Sequence, residues 1–184
     1  IYRKLSEQIR RGLCFSCRTG EGCEDCRGRG REAALRLVDA LPEIRRLLAA
    51  DPNRVVLVDE AYVDFGGESC VPLIRKYDNL LVVQTFSKSR AMAGSRIGFA
   101  IGNEKLISYL NDAKFSFNSY TMNMTAIVAG VASVENEKYF KDTVNKVIAT
   151  RERVKTELAR LDFEFTDSKT NFIFAKHKRV SGQE

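Results

Sequence analysis

Apolar residues in this chain follow two patterns. Continuous runs rich in valine and leucine occur at Val55–Val58 and in "NLLVVQTF" (79–86). Such runs predict strands buried on both faces, as in a parallel sheet. Between them, "ESCVPLIRKYD" (68–78) is long enough for the short crossover helix that parallel pairing needs. "RIGFAIG" (96–102) predicts a third strand. Elsewhere apolar positions recur at helical spacing. Residues 32–50 read as helix interrupted at Pro42, with Leu35, Leu37, Val38 and Leu41, then Ile44, Leu47 and Leu48, on its apolar faces. "DPN" (51–53) predicts a turn. Residues 103–113 predict a helix capped by Asn103. "SYTMNMTAIVAGVASV" (119–134) predicts an apolar helix whose small residues suit close packing. Residues 136–161 predict one long amphipathic helix with Tyr139, Val144, Val147, Ile148, Val154 and Leu158 on its apolar face. "DFEFTDSKTNFIFAKHK" (162–178) alternates and predicts a hairpin opening a second, smaller domain.

Strand, crossover, strand, loop and strand compose an α/β sheet. In such sheets chemistry collects at the carboxyl ends of the strands. Asp59 and Tyr62 follow the first strand, and Thr85, Ser87 and Lys88 follow the second. Neighbouring strands would bring these groups to one crevice.

Composition narrows the class. With 184 residues, 44% of them hydrophobic, the chain can bury one real core. The longest apolar run, "TAIVAGVA", is far too short to span a membrane, and "IYRKLSEQIRRG" has no signal-peptide core. The opening on Ile1 and the unfinished close "RVSGQE" predict a fragment. Net charge is +6 and unevenly built. Residues 1–54 hold eleven Arg and one Lys against eight acids; residues 55–184 hold seven Arg and eleven Lys against sixteen. The main body is therefore only mildly basic, which gives no reason to expect nucleic acid.

The converging residues suit one chemistry. A lysine amine forms a Schiff base with an aldehyde. Hydroxyls at Thr85 and Ser87, with Arg96, can hold a phosphate. The Asp59 carboxylate can keep a pyridinium nitrogen protonated, and the Tyr62 phenol can hydrogen-bond an aromatic oxygen. Together these describe pyridoxal phosphate, whose protonated ring acts as an electron sink. Singly, each residue has a plain reading: Asp59-Glu60 as a metal-binding pair or helix start, Lys88 as a solvated lysine, Arg96 as an ion-pair partner. The joint pattern, D-E-A-Y, then T-x-S-K, then arginine eight residues on, is far more specific.

"VVLVDEAYVDF", "TFSKSRAMAGSRIGFAIG" and "DSKTNFIFAK" resemble the fold-type-I aminotransferases, and among them the histidinol-phosphate aminotransferases. The resemblance runs from about Ile44 to the end. It implies an α/β fragment of the large domain over residues 44–135, mainly parallel sheet with helices. Residues 136–184 would supply the linking helix and the start of the small α+β domain. Residues 1–43 would be an atypical segment outside that fold. By this resemblance Lys88 is the catalytic residue that holds pyridoxal phosphate and moves the substrate proton. Asp59 would pair with the pyridine nitrogen and Tyr62 with the phenolic oxygen, while Thr85, Ser87 and Arg96 would contact the phosphate. Asn171 would approach the substrate, although a turn or strand-edge asparagine explains it equally. The implied reaction moves an amino group between glutamate and imidazole-acetol phosphate; a related threonine-phosphate decarboxylase shares these cofactor residues. The implied setting is a cytoplasmic homodimer acting on small molecules. The family also expects a glycine loop, a stacking aromatic, an N-P-x-x-P-T-G segment and a small-domain arginine. None is found here, so the chain alone is expected to be inactive or to bind the cofactor weakly.

Cys14, Cys17, Cys23 and Cys26 form two C-x-x-C pairs five residues apart, which could wrap one zinc ion. "CEDCRGRG" also resembles the zinc-binding unit of DnaJ-type chaperones. The gap is short against the usual spacing of about 15–20 residues. An accidental or frame-shifted stretch rich in Arg, Gly and Cys is the plainer explanation. The second function class is thus a zinc-bound, Arg-rich interaction or nucleic-acid module joined to a non-catalytic remnant. Phe15 is the only aromatic within the cysteine cluster that could stack on bases. Disulfides do not suit a cytosolic enzyme. Cys70 is expected to be packed. His177, the single histidine, is expected to be exposed, and it lies far from any serine-hydrolase pattern.

Overall fold

The computed structural model describes residues 41–180 and 182. The four clustered cysteines, the expected helix before Leu41 and most of the 1–43 segment lie outside the described residues.

Helix α1 (Leu41–Ala50) carries Pro42 in its first turn, where a missing N–H costs nothing. It buries Ile44 and Leu48. The turn after it is tied by Asn79, whose Nδ2 donates to the carbonyls of Leu48 (3.1 Å), Asp51 (3.2 Å) and Arg54 (3.0 Å).

Strands β1 (Val56–Asp59) and β2 (Leu80–Thr85) pair in parallel, Val56 opposite Leu80 and Asp59 opposite Val83. The crossover is not an α-helix. Two short 3-10 turns, Val63–Phe65 and Val71–Arg75, make it, with Pro72 starting the second. Strand β3 (Gly98–Gly102) then runs antiparallel to β2, with Thr85 opposite Gly98. The α/β sheet expected from sequence is present, and its described part is mixed in the order β1-β2-β3. The physical reason is the link before β3. It contains only a loop and a 3-10 turn at Ala93–Ser95, with no helix to carry the chain back across the sheet for a parallel return.

Helix α2 (Glu104–Phe117) is capped by Asn103, whose Oδ1 accepts the Lys105 N–H at 2.9 Å; it runs four residues beyond the expected end. Helix α3 (Met124–Glu135) starts five residues later than its apolar run suggests. Asn123 sets that start by accepting the Ala126 N–H at 2.7 Å. Helix α4 (Glu137–Arg160) matches its predicted span to one residue at each end, and Asn136 caps it. It buries Val144, half-buries Val147, Ile148, Val154 and Leu158, and leaves Tyr139 exposed. The expected hairpin forms as β4 (Phe163–Phe165) and β5 (Ala175–His177), antiparallel. His177 is half-buried rather than exposed: its ring meets Phe163 edge-on, and Nδ1 accepts the N–H groups of Arg179 and Val180.

One core cluster joins Ile44, Leu48, Cys70, Leu73, Leu80 and Val82 beneath the sheet. A second joins Phe86, Ile97 and Ala126, seating α3 against the loop between β2 and β3. Gly130 lets α3 come close, because a Cβ there would stand 3.0 Å from the Ile97 terminal methyl. The opposite side of α3 leaves Met124, Ile127, Val128, Val131 and Val134 exposed. No helix among the described residues is long and apolar enough to cross a membrane.

Candidate active site

The carboxyl ends of β1 and β2 lie side by side and carry most of the expected residues. Asp59 ends β1 and is exposed, its Oδ1 accepting the Ala61 N–H at 3.0 Å. The next residue behaves quite differently. Glu60 is 7% exposed, and its carboxylate accepts from the Ser69 hydroxyl (2.8 Å), the Cys70 N–H (2.5 Å) and Gln84 Nε2 (2.8 Å). Of the two acids, one is thus committed to the fold and the other is left available to a ligand. Among the described residues, no cluster of three or more His, Cys, Asp or Glu is placed to hold a metal. Burial, with Glu60 adding to it, pushes the Cys70 thiol up to about 11.

Thr85 ends β2. Its Oγ1 accepts the Ser87 N–H (3.1 Å), lies 2.9 Å from Ser87 Oγ as donor, and is 3.2 Å from the Ile97 carbonyl. Thr85 has one hydroxyl hydrogen to share between Ser87 Oγ and the Ile97 carbonyl, and the two hydroxyls together present a polar pair to an anion. Lys88 follows and is exposed. Its Nζ stands 5.4 Å from the centre of the Tyr62 ring, a cation–π approach. Tyr62 also meets Phe172 edge-to-face at 5.5 Å.

Arg96 reaches the same edge because β3 is antiparallel: it lies two residues before Gly98, the partner of Thr85. It adopts φ 55°, and its Nη1 donates to the Ala93 carbonyl at 3.1 Å. Ala91 adopts φ 54° in the same loop. Two non-glycine residues in the left-handed region cost about 1–3 kcal/mol each and persist only where the surroundings impose them. The contacts of Asp59 and Arg96 are to neighbouring backbone, so strand topology places them here without side-chain contact to Lys88. Asn171 is exposed, between buried Thr170 and exposed Phe172.

Three supporting groups carry no signal in the sequence. Ser89, buried next to Lys88, donates to Asp64 at 2.5 Å and ties the lysine loop to the Tyr62 turn. Arg90 donates to the Ser133 carbonyl at 2.6 Å and lies over the rings of Phe140 (4.0 Å) and Phe86 (5.2 Å), clamping the loop to α3 and α4. Arg151, on α4, is buried against the Tyr62 turn. Each depends on partners tens of residues away, so no local spacing announces it.

The donor set fits pyridoxal phosphate. An exposed amine, a hydroxyl pair, a guanidinium, an exposed carboxylate and a phenol share one strand edge. The family model for aminotransferase class I and II matches residues 38–182. This chain belongs to the class I and II aminotransferases. The histidinol-phosphate aminotransferase of Brachyspira hyodysenteriae is 52% identical over 149 residues, covering 80% of this chain and 42% of that protein. The crystal structure of histidinol-phosphate aminotransferase from Sinorhizobium meliloti in complex with pyridoxal-5'-phosphate superposes with a TM-score of 0.64 at 21% identity. It covers 73% of this chain and 38% of that one, and carries the fold alone. L-threonine-O-3-phosphate decarboxylase from Porphyromonas gingivalis superposes with a TM-score of 0.64 at 26% identity, over 78% of this chain and 44% of that one. The aminotransferase chain spans about two fifths of the length of the curated relatives it matches.

Proposed function

We propose that the whole protein transfers an amino group between glutamate and imidazole-acetol phosphate, using pyridoxal phosphate, in histidine biosynthesis. The observation that carries this reading is the exposed Lys88 amine over the Tyr62 ring, beside the Thr85–Ser87 hydroxyl pair. Relatives about half identical in sequence support transamination over decarboxylation.

Bound cofactor supplies an aldehyde for the lysine and a ring that accepts electrons. Lys88 is the covalent anchor and, once its amine is free, takes the proton from the substrate Cα and holds it for return. Ser87, Thr85 and Arg96 hold the phosphate, and Arg96 supplies most of the charge. Asp59 keeps the pyridine nitrogen protonated, which its open carboxylate allows. Tyr62 orients the phenolic oxygen and packs beneath the lysine. Asn171 faces the substrate from the hairpin. The whole protein is read as a cytoplasmic homodimer, as the resemblance to its family implies. The chain alone, at two fifths of its relatives' length, is expected to turn over little.

The test is an absorbance spectrum with added pyridoxal phosphate, then borohydride trapping and peptide mapping. A reduced adduct on Lys88, absent in Lys88→Ala, is the expected result. A folded chain with no adduct on Lys88 overturns the assignment.

A further inference from the structure

Arg151 has an environment that anchoring a helix does not require. Its side chain is 8% exposed. Nη1 donates to the Phe65 carbonyl (2.8 Å) and to the Thr170 carbonyl (3.0 Å), and Nε donates to Glu152 Oε1 (2.8 Å). These carbonyls lie 86 and 19 residues away in the chain. Burying a guanidinium is costly, and apolar packing would hold a helix more cheaply. What a guanidinium adds is a rigid planar fork that fixes two acceptors relative to each other.

The two carbonyls belong to turns that meet at the site. Phe65 ends the 3-10 turn that follows Tyr62. Gly66, at φ 115°, closes this turn around the guanidinium; a Cβ there would stand 3.9 Å from Nη2. Thr170 sits in a self-bonded turn. Ser168 Oγ (2.7 Å) and Thr170 Oγ1 (3.0 Å) both donate to the Phe172 carbonyl, and the Phe172 N–H returns a bond to Thr170 Oγ1. Whatever shifts Thr170 must therefore shift Asn171 and Phe172. Phe172 meets the Tyr62 ring, and that ring lies beneath Lys88 Nζ. On the far side, Asp64 accepts from Ser89, next to Lys88.

We infer that Arg151 is a positioning residue that couples the Asn171–Phe172 turn to the Tyr62 turn, so that the hairpin sets where Tyr62 stands under Lys88. The inference rests on Lys88 being the cofactor lysine. It adds a device that lets a ligand engaging the Asn171 turn be felt at the lysine.

The test uses the full 184-residue chain, Arg151→Gln and Phe172→Leu. Hydrogen exchange is followed by mass spectrometry, together with borohydride-trapped pyridoxal phosphate on Lys88. Arg151→Gln is expected to speed exchange over 62–67 and 168–174 together while leaving β2 unchanged. Adduct formation on Lys88 is expected to slow about tenfold, the loss that a sub-ångström displacement at a reacting group produces. Phe172→Leu, which spares the buried guanidinium, is expected to slow it similarly, and the double variant to be no worse than either alone. Overturning results are exchange rising in one turn only, exchange rising throughout the fold, or multiplicative effects in the double variant. If Arg151→Gln does not fold, Phe172→Leu decides, and unchanged Lys88 reactivity sinks the inference. If the parent forms no adduct, the cofactor assignment has failed, and the paired exchange response alone decides the coupling.

Discussion

Replacing Glu60 with alanine removes the acceptor that closes the crossover between β1 and β2. Three donors lose their partner: Ser69 Oγ, the Cys70 N–H and Gln84 Nε2. Hydrogen bonds to a charged group contribute about 1.5–3 kcal/mol each. Ser69 and Gln84 are half-buried and recover part of this from water, whereas Cys70, 2% exposed, keeps an unpaired N–H. Removing a buried charge also relieves its own desolvation, so the full sum is not reached. We expect a loss of about 3 kcal/mol for Glu60→Ala and about 2 kcal/mol for Glu60→Gln, which keeps one acceptor oxygen. Urea unfolding followed by far-UV circular dichroism measures both. A second readout is independent of stability. Glu60 helps to raise the Cys70 thiol, so either variant brings the pH midpoint of Cys70 alkylation down from about 11, while burial, the larger cause, keeps it above that of an exposed cysteine. A cost below about 1 kcal/mol for Glu60→Ala, in the range of a surface pair, would refute the assignment of Glu60 as the latch. So would an unmoved Cys70 midpoint.

Asn79→Ala leaves the Leu48, Asp51 and Arg54 carbonyls without their shared donor and should cost about 2 kcal/mol in the same unfolding assay. The tie between Lys155, Asp167 and Glu152 makes the α4–hairpin junction depend on pH. The Lys155 hydrogen bond holds both the Asp167 and Glu152 carboxyls below their ordinary range, and Asp167 holds the Lys155 ammonium above its own. A depressed carboxylate stabilises above its unfolded value and loses this as pH falls through its folded value; a raised ammonium stabilises below its unfolded value and loses this as pH rises through its folded value. The melting difference between parent and Lys155→Met is therefore expected between about pH 4 and 10.4, shrinking on either side. A difference unchanged down to strong acid would exclude the ion-pair origin.

Periodicity determined the types of the described strands and long helices, but not of the crossover, where 3-10 turns stand in place of the expected helix. The buried valine and leucine runs became β1 and β2, and the 3.6-residue pattern placed α4 to within one residue at each end. These features are local: backbone hydrogen bonding and side-chain direction follow from spacing within one turn or one pleat. The convergence of the candidate residues was legible for a related reason. Parallel strands carry their loops to one edge, so D-E-A-Y and T-x-S-K had to converge once both runs were strands. What tertiary structure decided was everything set by partners far apart in the chain. Asp59 and Glu60 are adjacent acids of like propensity. Only the arrival of Ser69, Cys70 and Gln84 makes one a buried latch and leaves the other open. Strand β3 runs antiparallel because its link holds no crossover helix, and only the tertiary structure shows that this link packs on α3 through Ile97 and Gly130. Arg151 reads as a solvated helix arginine until α4 lies against two turns and its guanidinium meets their carbonyls. The free energy of such groups is set by who desolvates them, and that information exists only after the chain has closed on itself.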